Sequence, residues 1–283
     1  MNLCSESELR ELLTRHGFHF SKAKGQNFLV REWVPERIAD AAGAEGAFVL
    51  EVGPGVGALT TQLCRRADRV CAVELDRSLR PLLAETLAGH DNLEIVFADV
   101  LKTDLPALVA ERAGGRRAVA CANLPYYITT DVLTQLLCCG CFSDVTVMIQ
   151  KEVAQRIAAR AGTAEYGAFS VFCRFWADAE LCFDVPPDCF IPRPKVTSTV
   201  VRFHLRGAPP CPIDDTAWFF RVVRASFAQR RKTMVNGLSA GLGVSKEAVA
   251  AVLEQLGLRP DLRGETLDIA GFAAVANALN RQQ

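Results

Sequence analysis

No excess of charge marks this chain, in which 32 lysines and arginines face 32 aspartates and glutamates. That balance argues against a nucleic-acid partner bound over the whole surface. Long apolar runs are missing too: none approaches the roughly 18 residues of a membrane span, and residues 1–10 are too acidic and polar for a secretory signal. The expected setting is cytoplasmic, away from membranes. The four histidines (His16, His19, His90, His204) are dispersed, and no second Cys or His pair accompanies Cys138-Cys139-Gly140-Cys141, the one close cysteine cluster. Half a zinc site is thereby imitated without the other half, so no metal is expected. An odd total of 11 cysteines, mostly inside apolar stretches, fits reduced thiols rather than disulfides. Repeats and low-complexity tracts are absent.

What is present is enough apolar residue, half of 283 positions, for a full core and a chain of one large and one small domain. The neutral total also hides an asymmetry. Residues 186–232 hold nine cations (Arg193, Lys195, Arg202, Arg206, Arg221, Arg224, Arg230, Arg231, Lys232) against three aspartates, a local +6 that leaves −6 elsewhere. A polyanion would meet this segment first.

Apolar runs of strand length begin at residues 47–52, which end in Gly53-Pro54-Gly55-Val56-Gly57 before a helical stretch from Leu59. A strand, a glycine turn and a helix form a nucleotide-binding unit, because missing side chains let backbone N–H groups approach a ligand. The next strand, residues 69–73, ends in Glu74, 21 positions after Gly53, where such folds place an acid on ribose hydroxyls. Asp76, just beyond, reads better as a cap. A third strand, 93–97, leads to Asp99, able to accept from an exocyclic amine. A fourth, 118–122, leads into Asn123-Leu124-Pro125-Tyr126-Tyr127. An amide carbonyl, a backbone carbonyl and an aromatic face within four residues can hold a planar ring bearing an amine, such as adenine. A rigid turn with half-buried tyrosines is the plainer alternative.

Further strands are expected over 144–149, 181–185 and 198–205, and helices over 32–42 and from Gln150. Before the first strand, Lys22 and Lys24 precede Gly25-Gln26-Asn27-Phe28-Leu29, amides beside an apolar anchor. Between the last two strands lies a proline-stiffened basic loop tipped by Phe190. Past a linker at 207–212, residues 216–228 read as a helix with Phe219, Val223 and Phe227 on one side; continued, it would gather Arg221, Arg224, Arg231 and Lys232 on about a third of the opposite circumference. A solvated basic face is the alternative to a phosphate-contacting one.

Lys24-Gly25-Gln26-Asn27-Phe28-Leu29, Glu51-Val52-Gly53-Pro54-Gly55, Glu74-Leu75-Asp76, Asn123-Leu124-Pro125-Tyr126-Tyr127-Ile128, Gln150-Lys151-Glu152-Val153-Ala154 and Ser226-Phe227-Ala228-Gln229-Arg230-Arg231-Lys232-Thr233 stand in one order. Together they resemble the ribosomal RNA adenine dimethyltransferase family over nearly the whole chain, most closely the branch that dimethylates two adjacent adenines near the 3′ end of small-subunit rRNA. The resemblance implies an α/β, Rossmann-like S-adenosylmethionine-dependent methyltransferase with a seven-stranded, mostly parallel sheet. It implies a catalytic domain over 1–206 and a small all-helical RNA-contacting domain over 213–283. By the same resemblance Asn27, Leu29, Gly53, Glu74, Asp99 and Asn123 line the cofactor site, and the partner is small-subunit rRNA or a precursor particle, met by a monomer. Asn123 faces the reaction. Lys24 departs from the family's pattern, and neutral charge points to docking on a preassembled particle.

Adenine N6 is a poor nucleophile, its lone pair being delocalised into the ring, so the chemistry is one of positioning. Acceptance of the two N6 hydrogens by Asn123 and the Leu124 carbonyl would aim that lone pair at a methyl group. Tyr126 is expected on one face of the base, Phe190 on the other. The alternatives are a noncatalytic RNA-binding assembly factor and an adenine methyltransferase acting on large-subunit rRNA or DNA.

Overall fold

The computed structural model describes residues 1–20 and 25–282. Lys22 and Lys24 lie outside them. In chain order the elements are α1 (Glu6–Arg15), β1 (Phe28–Leu29), α2 (Trp33–Ala41), β2 (Phe48–Val52), α3 (Ala58–Cys64), β3 (Arg69–Glu74), α4 (Arg80–Thr86), β4 (Leu93–Phe97), α5 (Leu105–Ala113), β5 (Ala118–Asn123), α6 (Thr129–Cys138), β6 (Asp144–Gln150), α7 (Lys151–Ala158), α8 (Ala168–Trp176), β7 (Ala177–Val185), β8 (Phe190–Ile191), β9 (Ser198–Leu205), α9 (Thr216–Phe227), α10 (Met234–Leu242), α11 (Lys246–Gln255) and α12 (Ile269–Asn280). No described helix is long and apolar enough to cross a membrane.

Two compact units divide the chain: Met1–Ala154 with Glu180–Leu205, and Gln155–Ala179 with Arg206–Gln283. The first is built on a seven-stranded sheet of order β4-β3-β2-β5-β6-β9-β7. The five strands from β4 to β6 are parallel, and β9 runs antiparallel to β6 from Asp144↔His204 to Gln150↔Ser198. Every residue of β2 is buried, Glu51 among them, as befits a largely apolar central strand covered on both faces. After β2 the chain adds β3 and β4 on one side, then returns to add β5 and β6 on the other. Strand order therefore reverses between β2 and β5, and the loops leaving their carboxyl ends part to open a crevice.

Helix starts obey local chemistry. Asp104 Oδ1 accepts from Ala107 N at the head of α5, and Asp76 caps the turn after β3 by accepting from Ser78 N and Ser78 Oγ, the capping role its position suggests. A second, two-stranded sheet pairs β1 with β8 (Phe28↔Ile191, Leu29↔Phe190), and Val30 N donates to Cys189 O at 2.8 Å. Strands of two residues carry no periodicity, so this pairing has no sequence signal. β7 begins at Ala177, four residues before its apolar stretch.

The second unit packs α8 to α12 around Phe175, Phe219, Val222, Leu238, Val249 and Phe272. It takes in Gln155–Ala179 besides the helices that follow the linker. The reason is apolar burial: Tyr166 and Phe175 sit in this core, and Tyr166 Oη donates to Leu267 O at 2.9 Å. α9 ends at Phe227, and a turn carries the chain to Thr233, whose hydroxyl caps α10. The expected continuation of the helix through Lys232 does not occur: Lys232 N closes a turn on Gln229 O instead.

Candidate active site

One crevice at the carboxyl edge of the parallel strands gathers Asn27, Leu29, Gly53, Glu74, Asp99, Asn123, Leu124 and Tyr126. Five elements supply them: the segment at β1, and the carboxyl ends of β2, β3, β4 and β5 with the loops that follow. Gly53 and Gly55 have φ of 72° and 59°, which a side chain would strain. A Cβ on Gly55 would press the Phe28 ring at 3.2 Å, whereas the space over Gly53 is open. The turn is thus packed beneath and clear where a ligand would lie.

Both Glu74 oxygens are oriented by backbone. Oε1 accepts from Asp76 N at 2.7 Å and Oε2 from Gly55 N at 3.4 Å. Burial raises its pKa, and these backbone donors work against that shift. Asp99 turns Oδ1 to Leu101 N at 3.1 Å and holds Oδ2 3.6 Å from Lys102 Nζ, so it caps a turn while lining the crevice. Asn27 Nδ2 donates to Gly25 O at 3.1 Å.

Glu51 is a site residue that sequence reasoning passed over. Its carboxyl is 1 % exposed, lines the crevice and leaves Oε2 without a hydrogen-bond partner. Burial, reinforced by Glu74, pushes its pKa up to about 8, while the nearby Thr60 hydroxyl pulls the other way without completing a hydrogen bond. An acid interrupting the apolar run Phe48-Val49-Leu50-Glu51-Val52 was the available signal.

Four carboxyl groups (Glu51, Glu74, Asp76, Asp99) and no lysine or arginine line the crevice among the described residues. That donor set rejects phosphate and suits a ligand with hydroxyls, an amine and positive charge. S-adenosylmethionine fits: an acid-oriented ribose site at Glu74, an unpartnered buried carboxyl for an ammonium at Glu51, and open space over Gly53.

Asn123 Nδ2 donates to Asn27 O at 3.3 Å, which leaves Oδ1 as the acceptor for a substrate. Leu124 is fixed by its N–H to Met148 O at 3.3 Å. The Tyr126 hydroxyl shares a 2.9 Å hydrogen bond with Ser198 Oγ, pinning the ring at one end, and burial raises its pKa. Tyr127 also lines the crevice and is 57 % exposed.

Phe190 is not brought to this crevice. Its pairing with Leu29 turns the ring into the core beside Val34, Ile38 and Val200, where it is 3 % exposed. The face it was expected to cover is therefore not its own in this structure.

The cations of the second unit are divided in use. Arg221, Arg224, Arg231 and Lys232 are exposed, with Arg221 over the Trp218 ring at 4.9 Å. Arg221 and Arg224 share α9, while Arg231 and Lys232 lie on the turn after it, not on a common helical face. Arg230 Nη2 donates to Ala164 O and Tyr166 O and its Nε lies 3.7 Å from Glu265, so it holds the unit together. Arg206 in the same unit is spent on Asp178, and Arg202 in the first unit on Asp144.

Among solved structures, a dimethyladenosine transferase from Plasmodium falciparum shares the fold, with TM-score 0.76, 24% identity, and coverage of 90% of this chain and 98% of the other. The 23S rRNA methyltransferase ErmE aligns at TM-score 0.68 and 26% identity over 89% of this chain and 99% of its own. Fold and crevice together define an S-adenosylmethionine-dependent methyltransferase. Residues 17–280 match the family model described as ribosomal RNA adenine dimethylase, and the chain belongs to that family. Similar curated proteins include the ribosomal RNA small subunit methyltransferase A of Geobacillus thermodenitrificans (strain NG80-2), 45% identical over 98% of this chain and 97% of the relative. That of Alkaliphilus oremlandii (strain OhILAs) is 40% identical over 99% of each.

Proposed function

We propose that this enzyme transfers methyl groups from S-adenosylmethionine to N6 of two adjacent adenines near the 3′ end of small-subunit rRNA, giving N6,N6-dimethyladenosine, and acts as a monomer on the subunit or a precursor particle. The observation that carries the reading is Asn123, at the end of β5, opening into the same crevice as Glu51, Glu74 and Asp99. The small-subunit target is supported by the relatives' names.

When bound, S-adenosylmethionine supplies an activated methyl electrophile. The chain's own residues orient. Glu74 holds the ribose hydroxyls through oxygens already set by the backbone N–H groups of Asp76 and Gly55. Glu51 meets the amino-acid ammonium, Asp99 the adenine amine, and Asn27 and Leu29 cover the ligand from the side of β1. Asn123 Oδ1 and the Leu124 carbonyl accept the two N6 hydrogens of the target base, favouring a tetrahedral nitrogen whose lone pair points away from both. No strong base is required, because the N6 proton becomes acidic only as the new N–C bond forms. Tyr126 stacks on the flipped base while Ser198 anchors its hydroxyl. Arg221, Arg224, Arg231 and Lys232 contact rRNA phosphates.

The test is methyl transfer from labelled S-adenosylmethionine to purified small subunits lacking the modification, beside large subunits and duplex DNA, followed by nucleoside analysis. Dimethyladenosine from the small subunit alone is expected. Label on large subunits or DNA only would overturn the target, and no label with the donor bound would favour a noncatalytic binding factor.

A further inference from the structure

The cysteine cluster after α6 has no part in the crevice chemistry. Cys138 closes the helix, and the chain reverses through Gly140, whose φ of 70° is natural only to glycine and whose missing side chain meets nothing within 4 Å. This reversal brings Cys139 Sγ to 3.2 Å from Cys141 Sγ, inside the sum of two sulfur radii. The Cys139 thiol also donates to Leu136 O at 3.3 Å, a bond that fixes its rotamer and is given up when the sulfur ionises. Both residues are partly exposed, and neither is bonded in a disulfide. Neither lines the crevice.

We propose that Cys139 and Cys141 form a reversible dithiol–disulfide couple, oxidised by exchange with a small-molecule disulfide of the glutathione type. Cys139 is the attacking sulfur. Its thiolate displaces one half of the small disulfide, whose S–S bond breaks as the Cys139 mixed disulfide forms; the released thiolate takes up a proton. Cys141 then loses its proton and attacks Cys139 Sγ, forming the Cys139–Cys141 bond and expelling the second small thiol. Two electrons pass from the protein dithiol to the small disulfide, which leaves as two thiols.

The roles follow from the surroundings. The hydrogen bond shared with Cys141 draws Cys139 below the ordinary thiol value, whereas burial pushes Cys138, Cys71 and Cys64 up to about 11, 11 and 12. Cys141 is held up, first by giving that hydrogen bond. Cys139 is thus the sulfur of the cluster shifted toward the thiolate, and its partner lies 3.2 Å away.

The full-length protein would be equilibrated with mixtures of oxidised and reduced glutathione, quenched in acid, alkylated and analysed by intact and peptide mass spectrometry. The expected product carries two fewer alkyl groups than the reduced chain, maps to a Cys139–Cys141 bond and reverts with dithiothreitol. Cys138→Ser should form it undiminished. Cys139→Ser should lose it, and Cys141→Ser should stop at the glutathione adduct on Cys139. A bond that includes Cys138, an adduct that persists on the unsubstituted chain, or no reaction would each overturn the proposal.

Discussion

Asn123 and Asn27, 96 residues apart in sequence, are joined by a 3.3 Å hydrogen bond from the Asn123 amide to the Asn27 carbonyl. One asparagine thus ties the reaction edge of β5 to the segment that flanks the donor. Asn123→Ala should lower turnover on the order of a hundredfold. Donor affinity should fall by no more than about tenfold, since one long hydrogen bond is worth only about 1 kcal/mol. Equal losses in both, measured by single-turnover rates and donor titration, would move Asn123 out of the reaction centre.

Glu51 links binding to stability. Its carboxyl holds a proton up to about pH 8 in the fold, against an ordinary value of 4.5. The folded state therefore binds a proton that the unfolded chain has released, so the group's contribution is fully present below pH 4.5 and is lost as pH rises toward 8. Glu51→Gln has no such loss. Its unfolding free energy without ligand, from denaturant titration, should exceed that of the parent by a margin that grows from pH 5 to pH 8, on the order of a few kcal/mol at the upper end, while donor affinity drops. A margin independent of pH would refute the ionisation.

Tyr126 separates ring from hydroxyl. Tyr126→Phe loses only the bond to Ser198 and should retain most activity; Tyr126→Ala should cost about ten- to hundredfold, the worth of one base–aromatic stack. Loss of activity in both variants alike would assign the role to the hydroxyl.

Phe190→Ala should act first on stability. Emptying a core position packed against Leu29, Val34 and Ile38 should cost ~3–5 kcal/mol in denaturant titration. A variant that unfolds like the parent yet fails to methylate would restore Phe190 to the base.

The arginines should part company. Replacing Arg221, Arg224 and Arg231 with Ala should weaken rRNA binding and flatten its salt dependence by roughly 0.7–0.9 in slope for each phosphate that is no longer neutralised. Arg230→Ala instead removes the hydrogen bonds to the carbonyls of Ala164 and Tyr166 and should destabilise the protein by ~0.5–1.5 kcal/mol. An unchanged salt slope in the triple variant would leave those side chains merely solvated.

Sequence made the sheet legible because its central strands are apolar runs, and each run ended beside a residue of the crevice: Gly53, Glu74, Asp99, Asn123. What stayed hidden depends on partners distant in the chain. β1 and β8 exist only through each other, and that pairing decides that Phe190 faces the core. Periodicity could place Arg224 on a helix face, but it could not foresee the turn after Phe227 that takes Arg231 elsewhere. Arg230 looked no different from Arg231 until Ala164 and Tyr166 were seen to accept from it.

The first unit is interrupted in sequence: residues 155–179 belong to the helical unit before the chain returns along β7 to β8 and β9. Synthesis from the amino terminus has a consequence for the nascent enzyme. When β6 has just emerged, Glu51, Glu74, Asp99 and Asn123 are all present, yet β8, which holds Phe28 and Leu29, and Ser198, which anchors Tyr126, have not been made. A growing chain therefore carries every polar group of its crevice well before it can hold either wall in place.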